Sequence, residues 1–216
     1  MTPARHGYFD GRNQPRWIVI HTTESPKVSG GAQNIANYFA STPEVKSAHY
    51  TVDADGAVQS VREEDGAFHT TGFASGFEVN RNSIGIEHVG YARQTPAEWR
   101  DTYSAAELEH SAKLVANIAR RWGIPVKHLT PAEIAAGEPG IAGHVEFNAA
   151  TRTGSHTDPG ANFPWNSYLA KVRGYQSPGS RLLVPVLAAA AVGAGVWWLA
   201  SNPASVTAFT RRLRTL

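Results

Sequence analysis

The sequence predicts an α/β domain with one mixed central β-sheet flanked by helices, followed by a C-terminal hydrophobic helix. Short apolar segments typical of strands alternate with segments typical of helices over residues 1–175. Within this part, residues 104–122 carry apolar side chains at helical spacing. Residues 182–200 contain no charged side chain. Because strands interleaved with helices are typical of a sheet covered by helices, we expect one layered domain and a separate C-terminal segment.

The strands are predicted where short runs of β-branched and apolar residues lie between turn residues. The second and third runs are separated by a turn containing Asp55 and Gly56, and we therefore expect them to form a hairpin. The four predicted strands are 17–21, 49–52, 58–61 and 83–89.

The clearest predicted helix begins at Ser104, where Ser104 and Glu107 have the spacing of a capping box, and ends at Gly123. Shorter helices are predicted at 33–40, 131–136 and 164–172. The last two begin with a proline, which fits the first turn of a helix.

Charge and composition exclude some function classes. The chain has 216 residues with 42% hydrophobic and 18% charged side chains, which is typical of a globular protein. Its net charge of +2 arises in the C-terminal segment, since residues 181–216 contain arginines and no acidic residue. The remainder is slightly acidic and has no basic stripe, so we expect no nucleic-acid partner. The absence of cysteine excludes disulfides and thiolate ligands.

The C-terminal segment has the composition of a membrane anchor. Its 19 uncharged residues, 182–200, would form a helix of about 28 Å, close to the hydrocarbon thickness of a bilayer. Trp197 and Trp198 lie near its end, as in an aromatic belt. We therefore predict a main domain at 1–175, a linker at 176–181, a transmembrane helix at 182–200 and a basic tail at 201–216. A buried C-terminal helix is the alternative. The polar N-terminus lacks the apolar core of a signal peptide.

Three residues are candidate metal ligands. His21 ends a predicted strand, His144 follows a short apolar run, and Asp158 precedes a Pro-Gly turn. Two imidazoles and a carboxylate suit a catalytic zinc ion with one open position. The intervals are long and the chain has nine histidines, so spacing alone leaves open that these histidines are structural.

Seven segments together resemble the zinc-dependent N-acetylmuramoyl-L-alanine amidases of type 2. This group is shared by phage endolysins, bacterial cell-wall amidases and animal peptidoglycan recognition proteins. The resemblance covers about residues 15–172. It implies the predicted fold of a mixed sheet flanked by helices, with peptidoglycan as the partner. It also implies one Zn²⁺ ion held by His21, His144 and Asp158. The segments are IVIHTTE (18–24), SAHYTVDADG (47–56), FHTTG (68–72), NSIGIEHVG (82–90), LTPAEIAAG (129–137), GIAGHVEF (140–147) and HTDPGANFPW (156–165).

The resemblance also implies catalytic roles for Glu87 and His156. Glu87 matches the glutamate that acts as acid and base in bacterial relatives, whereas its strand pattern alone favours a solvent-facing side chain. His156 stands where many relatives carry a lysine that stabilises the oxyanion. As a histidine, it could also be an alternative metal ligand. Other branches of the family carry a catalytic tyrosine at the position of Ala48. Because this chain lacks that tyrosine, Glu87 becomes the main candidate for the acid and base.

Two further histidines, His49 and His69, match positions that line the groove in the family. We expect them to contact substrate or to support the metal ligands. Packed structural histidines are the alternative for both.

The function implied is hydrolysis of the amide bond between N-acetylmuramic acid and L-alanine in peptidoglycan. We expect a phage endolysin that lyses the host and is held at the membrane inside the host cell before it reaches the wall. A bacterial amidase for wall remodelling or recycling is one alternative, and a non-catalytic peptidoglycan-binding module is another. The presence of Asp158 favours catalysis, because recognition proteins without activity commonly lack the third ligand.

Overall fold

Five strands form one mixed sheet in the order β3-β2-β6-β1-β7 in the computed structural model, which describes residues 1–177. A separate two-stranded ribbon pairs β4 with β5. The strands are β1 (Trp17–Thr22), β2 (Tyr50–Val52), β3 (Ala57–Gln59), β4 (Phe73–Ala74), β5 (Phe77–Glu78), β6 (Ser83–His88) and β7 (Gly140–Gly143). The helices are α1 (Gly31–Ser41), α2 (Thr102–Trp122), α3 (Pro131–Ala135), α4 (His144–Thr151) and α5 (Trp165–Gln176).

The central strand of the sheet brings distant segments to one edge. β1 pairs in parallel with β6 on one side and with β7 on the other, and β2 pairs in parallel with β6. Only β3 runs antiparallel, as the second arm of the predicted hairpin. Because parallel strands end at the same edge, His21, Glu87 and the start of α4 meet there.

Alternating side chains divide the core between the two faces of the sheet. On one face, Ile18 and Ile20 of β1 pack with residues of α2 and α5. On the other face, Trp17 and Val19 pack with Ile134 of α3 and with α4. The predicted single mixed sheet flanked by helices is therefore confirmed for the described residues.

The predicted start of the long helix is wrong. The helix begins at Thr102, and the Asp101 carboxylate accepts a hydrogen bond of 2.8 Å from the Ser104 amide, so Asp101 is the N-cap. Ser104 and Glu107 are both completely buried within the helix and cannot form the predicted capping box. The predicted end is confirmed, since Gly123 has a φ of 65°, a left-handed conformation that glycine adopts without strain.

Some elements were not predicted and some predictions cannot be examined. The short β4–β5 ribbon, strand β7 and helix α4, which begins directly after β7, were all missed. No helix within residues 1–177 is both long enough and apolar enough to cross a bilayer. The predicted hydrophobic helix at 182–200 and basic tail at 201–216 lie outside the described residues, as does most of the predicted linker.

Candidate active site

The three predicted metal ligands lie together at one edge of the sheet. His21 Nδ1 is 2.9 Å from Asp158 Oδ2, and His144 Nδ1 is 3.3 Å from Asp158 Oδ1. One donor atom from each residue lies within 4.8 Å of the other two, and all three residues are buried. The fold thus brings His21 to two residues that lie more than 120 positions further along the sequence.

Local structure fixes Asp158 beside the first turn of α4. Its carbonyl oxygen accepts a hydrogen bond of 3.0 Å from the Val145 amide. The turn that follows contains Gly160 at a φ of +93°, and any Cβ there would overlap the Ala92 carbonyl oxygen. Glycine is therefore required for this loop to approach the segment after β6.

The electrostatics of these residues suit metal binding. Burial lowers the pKa of His21, which favours the neutral imidazole. Burial acts to raise the pKa of Asp158, but the adjacent His144 and His21 imidazoles hold it below the ordinary range. Neutral imidazole and ionised carboxylate are the forms that bind zinc, so the donor set fits one Zn²⁺ ion.

These ligands line a groove of about 780 Å³. Part of the lining is apolar and comes from α1 and the loops after it, with Ile35, Tyr38, Phe39 and Val45. The other part is polar and contains the three ligands together with Glu87, His69 and His156. A ligand with both apolar and polar groups can therefore contact the metal-binding residues.

Glu87 lies in this groove beside His21. The two residues are Cα partners in the parallel pairing of β1 with β6. Burial, together with the charges of Asp158 and Glu24, raises the pKa of Glu87 to about 8. Its Oε2 is buried and has no hydrogen-bond partner among residues 1–177. The carboxyl group is thus free to exchange a proton with a bound molecule, and its position does not fit the solvent-facing alternative.

A comparison with protein families identifies the chain. The family model for N-acetylmuramoyl-L-alanine amidase matches residues 11–161, which include every proposed ligand. The chain belongs to this amidase family. It is therefore an enzyme that hydrolyses the amide bond of cell-wall peptidoglycan.

Solved structures share the fold of this amidase at low sequence identity. Hydrolase AmiA of Staphylococcus aureus, solved with its ligand, is similar with a TM-score of 0.55 and 17% identity, covering 82% of each chain. A mutant endolysin from Bacillus subtilis has a TM-score of 0.53 and 21% identity, covering 79% of this chain and 94% of its own. PlyL has a TM-score of 0.52 and 18% identity, with coverages of 79% and 88%. None of the curated protein sequences matches.

His156 lies at the groove of the amidase but outside the three-residue donor set. Its ring stacks on the His144 ring, with centroids 4.3 Å apart and planes 14° from parallel. The side chain is 65% exposed, and its Nδ1 is 3.7 Å from Asp158 Oδ1. This position suits contact with substrate better than metal ligation.

The two histidines that were expected at the groove lie in different environments. His49 is completely buried. Its Nε2 donates to the Asp65 carbonyl oxygen at 2.9 Å, and its Nδ1 accepts from the Gly85 amide at 3.0 Å. Burial lowers its pKa to about 4, so the ring is neutral. His49 therefore lies in the core, where it cannot contact substrate directly, whereas His69 lines the groove and contacts His21.

Sequence reasoning missed two residues that support the site. The Asn80 side-chain oxygen accepts hydrogen bonds from the His69 and Thr70 amides at 3.2 and 3.0 Å, which fixes the loop that carries His69. Ser83 Oγ lies 3.1 Å from His69 Nε2. Nothing in the local sequence distinguishes Asn80 from other polar loop residues. Ser83, in contrast, belongs to the segment 82–90 that carries the resemblance.

Proposed function

We propose that this amidase cleaves the bond between N-acetylmuramic acid and L-alanine with one zinc ion held by His21, His144 and Asp158. The observation that carries this proposal is the convergence of these donors within 4.8 Å, in a groove that also contains Glu87. When bound, zinc would polarise the scissile carbonyl and lower the pKa of water toward about 7. The complete ligand set disfavours a binding module without activity.

Glu87 is proposed to move the proton during hydrolysis. Its carboxylate accepts a proton from the attacking water and later delivers one to the leaving amine of L-alanine. Two features support this role, its place beside His21 and a carboxyl oxygen with no competing partner among residues 1–177. Burial, with the charges of Asp158 and Glu24, raises the pKa of Glu87 in the metal-free protein, so this carboxyl group can hold a proton as a general acid must.

His156 is proposed to stabilise the negative charge that develops on the carbonyl oxygen. Stacking on His144 holds the ring beside the ligands while most of its surface remains accessible. A protonated imidazole can donate a hydrogen bond to that oxygen, which in enzymes contributes about 3 kcal/mol to catalysis.

Lysis of a host by a phage is the biological role we propose. One protein that shares the fold is an endolysin from Bacillus subtilis. The uncharged segment 182–200 would hold the amidase at the membrane of the host cell until lysis. A bacterial amidase that recycles or remodels peptidoglycan is the second candidate, because the family and the proposed donor set fit that role equally well.

Digestion of purified peptidoglycan with mass analysis of the products tests the reaction. We expect new amino termini on L-alanine and glycan strands with unsubstituted lactyl groups on muramic acid. New reducing ends would identify a glycosidase instead, and cleavage within the stem peptide would identify a peptidase. Either result would overturn the proposed bond.

A second comparison tests the biological role. The amidase is given intact cell walls or the same mass of soluble muropeptides, and initial rates are measured. An endolysin acts on intact walls at a rate comparable with, or above, its rate on fragments. A strong preference for soluble muropeptides would favour the recycling role.

A further inference from the structure

A chain of hydrogen bonds leads from the metal-binding residue His21 to the main chain before β6. His21 Nε2 is 3.0 Å from His69 Nδ1. His69 Nε2 is 3.1 Å from Ser83 Oγ, and Ser83 Oγ is 2.6 Å from the Val79 carbonyl oxygen. We propose that His69 and Ser83 are positioning residues that fix the tautomer of His21 in which Nδ1 is free to bind metal. This inference rests on the metal site proposed above.

The direction of each hydrogen bond follows from the carbonyl group at its end. The Val79 oxygen can only accept, so the Ser83 hydroxyl donates to it. Ser83 Oγ has a single hydrogen and must therefore accept from His69 Nε2–H. His69 Nδ1 then has no hydrogen and accepts from His21 Nε2–H. The proton of the neutral His21 imidazole is thus held on Nε2, and Nδ1 keeps its lone pair.

The same assignment leaves two acceptors facing each other at the metal site. His21 Nδ1 lies 2.9 Å from Asp158 Oδ2, and neither atom carries a hydrogen in this arrangement. Two acceptors at that distance repel unless a cation lies close to both. The hydrogen bonds behind His21 therefore favour occupancy of the site by a metal ion.

The structure also fixes the place of the His69 ring. Gly85 on β6 provides the space, since a Cβ there would lie 2.5 Å from His69 Cγ. Asn80 holds the His69 main chain through the hydrogen bonds described above. The ring is thus confined between β6 and His21, as a residue that orients a metal ligand requires.

A second network provides a matched control. His88 Nδ1 lies 3.1 Å from the His21 carbonyl oxygen, and His88 Nε2 lies 2.7 Å from Ser111 Oγ. This network reaches the main chain of His21 and not its imidazole. Ser111, like Ser83, is completely buried, so Ser111→Ala removes a comparable hydroxyl without affecting the His21 tautomer.

Zinc affinity of purified variants, measured by competition with a chromophoric chelator, tests the proposal. His69→Phe keeps an aromatic ring but removes the acceptor, and the dissociation constant for zinc should rise about 10- to 100-fold. Ser83→Ala should also raise the dissociation constant for zinc, because His69 can then adopt the other tautomer. His69→Asn can place an amide oxygen near the position of Nδ1 and should restore much of the affinity. Ser111→Ala should leave the affinity within about 2-fold of the unmodified amidase.

Nitrogen NMR of the unmodified, zinc-loaded amidase tests the proposed tautomers of His69 and His21 even if a variant does not fold. We expect His69 as the Nε2–H tautomer and His21 protonated at Nε2 with Nδ1 bound to metal. A His69 Nδ1–H tautomer would overturn the proposal, as would unchanged zinc affinity in a folded His69→Phe variant. Failure of the unmodified amidase to bind zinc would instead refute the metal site itself, so the two failures are distinguishable.

Discussion

Glu87 lies opposite His21 in the register of the parallel strands β6 and β1. Neighbouring strands are about 4.8 Å apart, so this register alone brings the proposed proton carrier beside a proposed metal ligand. Both residues lie on the face of the sheet that also carries Gly85 and the His69 ring. Strand pairing therefore assembles the polar part of the groove.

Replacement of Glu87 by glutamine tests its role in proton transfer. Glu87→Gln preserves shape but cannot accept a proton, so the turnover number should fall by about 10²-fold or more. Zinc content and binding to peptidoglycan should change little, because Glu87 is not in the donor set.

Glu24→Gln is the matched control for this substitution. Glu24 also lines the groove, but its Oε1 is already occupied by the Thr22 hydroxyl and the Ala92 amide. Its substitution should reduce turnover far less than that of Glu87. An equal fall in turnover number for the two variants would contradict the proposed role of Glu87 in proton transfer.

The raised pKa of Glu87 predicts a pH dependence of stability in the metal-free amidase. The Glu87 carboxyl group has a pKa of about 4.3 in the unfolded chain and of about 8 in the folded protein. Its contribution to stability is therefore complete below about pH 4 and is lost as the pH rises toward 8. Relative to Glu87→Gln, the unmodified protein should lose on the order of a few kcal/mol of unfolding free energy over this range.

Denaturant unfolding of both proteins in the presence of a chelator measures this difference. Other groups titrate in both proteins and largely cancel in the comparison. The difference between the two free energies should become constant above about pH 8. A difference independent of pH between 4 and 8 would contradict the raised pKa.

Loss of one ligand should remove metal without unfolding the domain. His144→Ala deletes one of three donors, so the purified protein should lose bound zinc and its activity. The core on both faces of the sheet does not include this side chain, and we expect the circular dichroism spectrum to be retained. His110→Ala, on α2 and outside the groove, should keep both zinc and activity. Full activity of His144→Ala without zinc would exclude the proposed centre.

Exchange of His156 for lysine tests oxyanion stabilisation. A lysine ammonium group can donate a hydrogen bond to the same oxygen and is charged. His156→Lys should therefore keep activity, whereas His156→Ala should lower the turnover number by about 10²-fold or more. Unchanged turnover of His156→Ala would contradict this role, and loss of zinc from His156→Ala would favour ligation.

Removal of the C-terminal segment tests the proposed membrane anchor. Residues 1–176 form one compact unit that contains every proposed site residue. A protein ending at Ser177 should therefore remain soluble and cleave peptidoglycan. The full chain should sediment with membranes and resist extraction by high salt. Release of the full chain by salt alone would refute an inserted helix.

Much of the architecture could be predicted from local patterns. The apolar run of β1 and the helical spacing that ends at Gly123 depend on side chains close together in the sequence, and both elements are confirmed. The predicted start of α2 was wrong because Asp101 and Ser104 are both good cap residues, and in the structure it is the Asp101 carboxylate that accepts from the Ser104 amide. Resemblance to the amidase family, and not spacing, singled out the three proposed ligands.

The sequence by itself determined the types of the main elements and the family, and it named the side chains proposed to bind metal. Only the tertiary structure decided that Glu87 faces the groove, that His49 is enclosed in the core and that His69 contacts His21. The physical reason is that periodicity tells which residues share one face of a strand but does not tell which distant strand lies beside it. Partners 66 positions apart, such as His21 and Glu87, are chosen by sheet order and register, which depend on packing across the whole domain.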